Sequence, residues 1–129
     1  KNVLGIGTGS TIFYFIEALN QIKNIISGVV SSSKNSTLLL KKHGIQVLEL
    51  KKFYEIDIYV DSADEINNQM QMIKGRGAAL TREKIIASMA KKFICVIDQS
   101  KYVNVLGTSP LPIEIIPSSC SYVLHEVIQ

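Results

Sequence analysis

Hydrophobic residues along the chain follow two patterns that alternate: short continuous runs, and longer stretches with one apolar residue every three or four positions. A short continuous apolar run, Val3–Ile6, ends at Gly7, and the next stretch, Ser10–Leu19, repeats its apolar residues every three or four positions. A continuous run of this length is typical of a buried strand, and the wider spacing is typical of a helix. The opening of the chain therefore predicts a strand, a tight glycine loop and a helix.

The same alternation continues through the rest of the chain. Further strands are predicted over residues 29–30, 45–48, 56–60 and 93–97. Further helices are predicted over residues 36–43, with Gly44 as the stop, and over residues 81–91. Residues 111–116, punctuated by prolines, are interpreted as a strand that enters a second unit. Short strands separated by helices predict an α/β fold with a mostly parallel sheet covered on both faces.

Composition and charge narrow the possible partners. A chain of 129 residues, 47% hydrophobic and 19% charged, is long enough for one main domain with a buried core and is not typical of a disordered protein. The formal net charge of +3 is small and the lysines are scattered. We therefore expect no nucleic-acid partner, and small anions are favoured as ligands.

The cysteines and the apolar runs bear on location. Two cysteines, Cys95 and Cys120, give no disulfide framework, so a cytoplasmic protein is predicted. No apolar run approaches the roughly 18 residues of a membrane span, and the start has no signal-peptide pattern, so no membrane partner is expected. The chain opens on a strand and stops within a helical pattern, so we interpret both ends as cuts through a longer protein.

The glycine-rich loop GIGTGST joins the first strand to the first helix. Glycines allow a tight turn that exposes backbone amides to an anion, and the helix dipole favours negative charge there. The loop lacks the lysine of a Walker motif and the glycine spacing of a dinucleotide-binding loop. The remaining interpretations are a capped turn without a ligand, or a phosphate bound by Thr8, Gly9, Ser10 and Thr11.

Three carboxylates, Asp61, Asp64 and Glu65, crowd the end of the predicted strand 56–60. Sites in parallel sheets gather at the carboxyl ends of strands, and repulsion with partial burial can hold a proton near neutral pH. Acid-base chemistry is one interpretation, and a solvated acidic turn is the other. Neither His43 nor His125 is spaced to complete a metal site, so no metal is predicted.

Three further residues are candidates for the same cleft. Lys74 ends a short apolar run and precedes small residues that permit close approach of a ligand, so it could neutralise oxyanion charge. Glu83, in the first turn of the next helix, either faces that cleft or complements the helix dipole. Lys101, in the loop after strand 93–97, is either a surface lysine or a phosphate contact.

Taken in order, the motifs GIGTGST, SSSKNST, YVDSADEIN, KGRGAALTREKIIAS and DQSKYVNVLGTSPLPIEIIP resemble type A ribose-5-phosphate isomerase over essentially the whole chain. The resemblance implies a Rossmann-like three-layer domain, residues 1–110, that lacks the family's N-terminal helix, and the truncated start of a smaller α/β domain, residues 111–129. It also implies interconversion of ribose 5-phosphate and ribulose 5-phosphate through an enediolate, in the non-oxidative pentose phosphate pathway. No cofactor or metal is implied, and the full-length protein would be a homodimer or homotetramer.

The resemblance assigns a role to each candidate residue. The substrate's phosphate would be held by Ser10, Thr11 and Lys101. Glu83 would be the base, and Asp61 would assist ring opening. Asp64 would hold the sugar hydroxyls, and Lys74 would stabilise the enediolate oxygen.

Two positions depart from the pattern of the family. Ser62 and Arg76 stand where the family usually has glycine, and either side chain could crowd the cleft, while Arg76 could instead add a substrate contact. A sugar-phosphate sensing domain of the related fold, which need not keep the base, is an alternative function from a different class. An inactive remnant of an enzyme is the third possibility.

Overall fold

A computed structural model of the chain describes residues 2–129. Six strands are present in this range: β1 (Val3–Ile6), β2 (Gly28–Ser31), β3 (Ile56–Asp61), β4 (Glu65–Ile66), β5 (Met72–Ile73) and β6 (Ala90–Cys95). The α-helices are α1 (Ser10–Leu19), α2 (Lys34–Lys42), α3 (Leu80–Met89) and α4 (Cys120–Ile128). Short 3-10 turns cover Asn20–Ile25, Leu50–Lys52, Gln99–Lys101 and Pro117–Ser119.

The main sheet has the order β2-β1-β3-β6, and every neighbouring pair in it is parallel. Strands β4 and β5 form a separate antiparallel pair. Parallel strands need long crossovers, and helices α1, α2 and α3 lie in those crossovers. The prediction of an α/β fold with a mostly parallel sheet is therefore confirmed.

The sheet is covered on both faces, as predicted. One core cluster joins Ile6 and Val60 of the sheet to Ile12 and Ile16 of α1 and Leu40 of α2. A second cluster joins residues of β2 and β3 to α3, and its buried members are Val30, Ile56, Tyr59 and Ile86. Because adjacent strand residues point to opposite faces, a continuous apolar run such as that of β2 serves both clusters.

The predicted boundaries of the helices need small corrections. Helix α2 begins at Lys34 because Ser33 caps it by accepting a bond from the amide of Ser36. Its predicted stop is confirmed, since Gly44 adopts a φ of +68° just beyond the helix. Helix α3 ends at Met89, so the predicted helix over 81–91 is two residues too long, and β6 follows without a loop.

Two predicted strands are absent from the described residues. Residues 45–48 make a single parallel bridge, between Val47 and Val29, instead of a strand. The predicted strand over 111–116 is wrong, because that segment has no regular secondary structure. Its prolines lack the amide that a strand ladder needs.

The last part of the chain is more exposed than the sheet domain. Helix α4 contains no buried residue, and Ile113 and Ile116 before it are exposed. A domain boundary between residues 110 and 111 stays a prediction. Among residues 2–129, no helix combines the length and the apolar character needed to cross a membrane.

Candidate active site

Asp61 is the centre of the site at the carboxyl end of the sheet. It is the last residue of β3 and is fully buried. Its Oδ1 accepts bonds from the amides of Thr8, at 3.1 Å, and Ser62, at 2.8 Å. Its Oδ2 accepts from the Tyr59 hydroxyl and from the Lys74 ammonium, the latter at 3.1 Å. Four donors therefore satisfy one buried carboxylate, as burial of a charge requires.

Gly7 allows this carboxylate to lie directly under the glycine-rich loop. A Cβ added at Gly7 would lie 1.8 Å from Asp61 Oδ1, well inside any real contact distance. The amide of Gly7 also bonds to the Val60 carbonyl at 2.8 Å, which extends the β1–β3 pairing to the loop. The second residue of the loop that needs glycine is Gly9, with a φ of +102° at the start of α1.

Lys74 and Glu83 stand beside Asp61. The Lys74 Nζ lies 3.7 Å from Glu83 Oε2 and also donates to the Ser62 carbonyl. Glu83, in the first turn of α3, is 5% exposed, and its Oε2 has no hydrogen-bond partner among the described residues. The Lys74 ammonium thus pairs with two buried carboxylates. Asp61 has hydrogen bonds from several donors, whereas Glu83 Oε2 has none among the described residues.

The unbonded carboxylate has the perturbed pKa. Burial raises the pKa of Glu83 to about 7, with the charge of Asp61 adding to the rise and the Lys74 ammonium opposing it. A carboxyl with a pKa near neutral can both take and return a proton at physiological pH. One interpretation of the sequence places a proton held near neutral pH among Asp61, Asp64 and Glu65, whereas the raised pKa in the structure belongs to Glu83.

The pKa of Glu83 predicts a pH-dependent gain in stability for Glu83→Gln. A carboxyl whose pKa is raised in the folded state stabilises the fold fully below its unfolded pKa, and that contribution is lost as the pH rises from about 4.3 towards 7. Glutamine does not titrate, so the free energy of unfolding of the variant relative to the parent should increase over this range, by on the order of 1–3 kcal/mol. Urea unfolding at pH 4.5, 6 and 8 measures the difference, and a difference independent of pH would contradict the raised pKa.

The predicted phosphate loop adjoins this group of charges. Thr8 links the two, since its amide bonds to Asp61 and its carbonyl accepts from Ser62 Oγ at 3.3 Å. Its Oγ1 accepts from Ser33 Oγ at 3.0 Å. Gly9 begins α1 without a side-chain cap, and the first turn of α1 contains no acidic residue. Beside the loop is a cavity of about 550 Å³ whose lining includes Thr8, Gly9, Ser10, Ser36 and Gly77.

Two predicted site residues are less closely involved. Asp64 is half-buried, and its Oδ2 accepts from the amide of Arg76 at 3.0 Å, so it holds the segment that follows Lys74. Lys101 is half-buried in the 3-10 turn after β6 and does not line the cavity that Ser10 and Thr11 share with residues 96–98. Residues 96–98, which follow β6, therefore lie beside the start of α1, but Lys101 itself does not line the cavity between them.

Glu65 bonds to the backbone of a distant segment instead of facing Lys74 and Glu83. This residue is 3% exposed, and its carboxylate accepts from the amides of Gly107 and Ser109. The bond from Gly107 lowers the pKa of Glu65. The parallel bridge between Ile66 and Tyr102 ties the same two segments together. Glu65 thus fixes the loop after β3 to the segment that follows Lys101. Within residues 2–129, no three His, Cys, Asp or Glu side chains converge as they would around a metal ion.

Comparison with known proteins identifies the family. A family model described as ribose 5-phosphate isomerase A (phosphoriboisomerase A) matches residues 28–129. The chain belongs to this family. Ribose-5-phosphate isomerase A of Buchnera aphidicola subsp. Acyrthosiphon pisum (strain Tuc7) is 70% identical over 127 residues, which cover 98% of the chain and 57% of that protein.

Solved structures of ribose 5-phosphate isomerases share the fold. The crystal structure of ribose 5 phosphate isomerase A from Neisseria gonorrhoeae has a TM-score of 0.96 at 47% identity, covering 99% of this chain and 57% of its own. A D-ribose-5-phosphate isomerase in complex with phospho-erythronic acid has a TM-score of 0.91 at 41% identity, covering 98% of this chain and 58% of its own. The chain thus spans less than three fifths of the length of these relatives.

Two departures from the ribose 5-phosphate isomerase A pattern have defined places in the structure. Ser62 is half-buried, and its Oγ bonds to the Thr8 carbonyl, so it ties the loop after β3 to the glycine-rich loop. Arg76 is exposed, and its backbone amide bonds to Asp64. The Ser62 side chain thus connects the two loops, and crowding of the cleft by either side chain stays a prediction.

Sequence reasoning missed three residues of this isomerase-family site. Tyr59 donates to Asp61, Ser33 donates to Thr8, and Ser36 donates to the Gly7 carbonyl at 2.7 Å. Tyr59 could have been found, because residues two apart on a strand share a face and Asp61 was already a candidate. The serines required the pairing of β1 with β2, which places the two loops side by side.

Proposed function

We propose that the complete protein containing this chain is a ribose-5-phosphate isomerase, which interconverts D-ribose 5-phosphate and D-ribulose 5-phosphate through an enediolate. The observation that carries the proposal is a buried carboxyl, Glu83, with a pKa of about 7 beside the ammonium of Lys74. Membership in the ribose 5-phosphate isomerase A family supports the same reaction. The protein would act in the cytoplasm, without a metal or cofactor.

In this proposal Glu83 carries the proton between the two carbons. The ionised carboxylate removes the proton from C2 of the open-chain aldose, and the C–H electrons form the C1–C2 double bond as the C1 carbonyl oxygen becomes negative. The hydroxyl proton on O2 then passes to O1, Glu83 returns its proton to C1, and the electrons left on O2 form the ketone carbonyl at C2. Because the proton is lost and regained by one group, no electron carrier is needed.

Lys74 and Asp61 would act on the oxygens. The Lys74 ammonium is half-buried and fixed by three oxygen atoms, so it can stabilise the enediolate oxygen without reorganising. Asp61 would assist ring opening, and Asp64 would hold sugar hydroxyls. Phospho-erythronic acid, present in the structure of one relative, combines a phosphate with a planar carboxylate, as an enediolate phosphate combines a phosphate with a planar anion.

The phosphate would be bound at the other end of the substrate. We assign it to the start of α1, where the dipole and the free first-turn amides favour an anion, with Lys101 as a further cation. The residues so assigned are Thr8, Gly9, Ser10, Thr11 and Lys101. Anchoring the phosphate orients C1 and C2 against Glu83, so binding energy at one end lowers the barrier at the other. The complete protein would be a homodimer or homotetramer.

Isomerisation in deuterated water tests the function and separates it from a sugar-phosphate sensor. We expect the complete protein to convert ribose 5-phosphate to ribulose 5-phosphate, with deuterium appearing at the carbon that receives the proton, as followed by proton NMR. A protein that is stabilised by ribose 5-phosphate in a thermal melt but produces neither ketose nor deuterated sugar would be a sensor. Inorganic phosphate, which has no carbon to exchange, is the matched ligand control for the melt.

A further inference from the structure

Tyr59 lies beneath the candidate active site, on the face of β3 that α3 covers. Its side chain is fully buried, and its hydroxyl donates to Asp61 Oδ2, which the Lys74 ammonium also reaches at 3.1 Å. The Tyr59 ring stacks on Phe93 of β6, with ring centroids 5.2 Å apart and an interplanar angle of 21°. None of the roles assigned above uses this hydroxyl.

We propose that Tyr59 is a positioning residue, whose hydroxyl holds Asp61 Oδ2 so that the Lys74 ammonium stays shared between Asp61 and Glu83. This inference rests on the function proposed above. A phenylalanine would fill nearly the same volume and stack on Phe93 in the same way, so packing gives no reason for a hydroxyl here. A buried hydroxyl needs a partner, and its partner is the carboxylate that also bonds the glycine-rich loop.

The position of Lys74 depends on how its two carboxylates are satisfied. Its Nζ is 3.1 Å from Asp61 and 3.7 Å from Glu83, so it already favours Asp61. Without the tyrosine hydroxyl, Lys74 would be the only donor to Asp61 Oδ2 among the described residues, and the shorter contact would tighten at the expense of the longer one. The Lys74 charge opposes the raised pKa of Glu83, so its withdrawal would raise that pKa further.

Tyr59 itself remains a donor throughout this process. Burial, followed by the charge of Asp61, raises the pKa of its hydroxyl far above the usual range, so the group keeps its proton at every working pH. The titratable groups that face the two carboxylates come from β3, the turn after it, the segment after β5 and the neighbouring strand β6. Asp61 and Glu83 face each other, and the other groups are Tyr59, Asp64, Lys74 and Cys95.

The test is Tyr59→Phe in the complete protein, with two control variants. We expect kcat for ribose 5-phosphate to fall on the order of tenfold with KM changed by less than about twofold, because the hydroxyl touches no substrate atom. The acidic limb of kcat/KM should move to higher pH by about half a unit. Tyr54→Phe, at a residue 95% exposed, should change neither quantity. Phe93→Leu removes the ring stack and keeps the hydroxyl, so the acidic limb should not move.

Three outcomes overturn the inference. They are an unchanged acidic limb in Tyr59→Phe, an equal shift in Phe93→Leu, or a loss of kcat that follows thermal stability alone. If the parent protein does not isomerise ribose 5-phosphate, the proposed function fails separately. Carbon-13 NMR titration of Glu83 then still decides the inference, since a midpoint raised in Tyr59→Phe supports it and an unmoved midpoint overturns it.

Discussion

Replacing Glu83 by glutamine should lower kcat for ribose 5-phosphate by on the order of 10²–10⁴-fold while leaving the protein folded. Glutamine has nearly the same shape but cannot accept the proton from carbon, and it removes a carboxyl whose Oε2 has no hydrogen-bond partner among the described residues. KM should change little, because the phosphate is assigned to the start of α1 at the other end of the site. Coupled measurement of ketose formation gives both constants.

A matched control separates this effect from a general loss of charge. Glu49→Gln changes a carboxylate that is more than half exposed and pairs with Lys51 at the surface, so kcat should stay within about twofold of the parent. Full activity in Glu83→Gln, with unaltered circular dichroism, would mean that another group moves the proton.

Replacing Gly7 by alanine should have the largest effect on stability. The new Cβ would overlap Asp61, which cannot retreat because it is fully buried and bonded to four donors. Overpacking of this kind costs on the order of 1–3 kcal/mol or more, which corresponds to a drop in melting temperature of roughly 10 °C. Activity should fall with it, because the loop and the carboxylate are forced apart.

Gly77→Ala is the matched control for that substitution. The nearest atom to a Cβ at Gly77 is Thr8 Cγ2 at 3.7 Å, an ordinary contact, and the residue does not need a positive φ. We therefore expect its melting temperature to stay within a few degrees of the parent. Equal melting temperatures for Gly7→Ala and the parent would show that Asp61 does not lie against the loop as the structure places it.

The position of the candidate site could be predicted from sequence because strand ends meet at one edge of a parallel sheet. Gly7 follows β1 and Asp61 ends β3, so the pairing of these strands brings the two motifs together. The glycine and acidic motifs each sit where an apolar run stops, which is a local signal. Lys74 and Glu83 follow in sequence order, directly after β5 and in the first turn of α3.

The division of labour among the carboxylates could not be predicted in the same way. Asp61, Asp64 and Glu65 are adjacent in sequence, yet Glu65 bonds the amides of residues 107 and 109, more than forty positions away. The raised pKa of Glu83 depends on burial and on its distance from Lys74, and neither quantity is visible in a motif. The strand predicted over 111–116 is absent for a local reason: its apolar residues favour a strand, but its prolines lack the amides that a strand ladder needs.

A crystal structure of the complete protein with ribose 5-phosphate bound to the Glu83→Gln variant tests the central claim most directly. That claim is that one substrate spans the start of α1 and the group formed by Asp61, Lys74 and Glu83. We predict the phosphate within hydrogen-bond distance of the amides or hydroxyls of Ser10 and Thr11, with C1 and C2 about 3–3.5 Å from the side chain at position 83. A phosphate bound elsewhere, or carbons remote from position 83, would contradict the account.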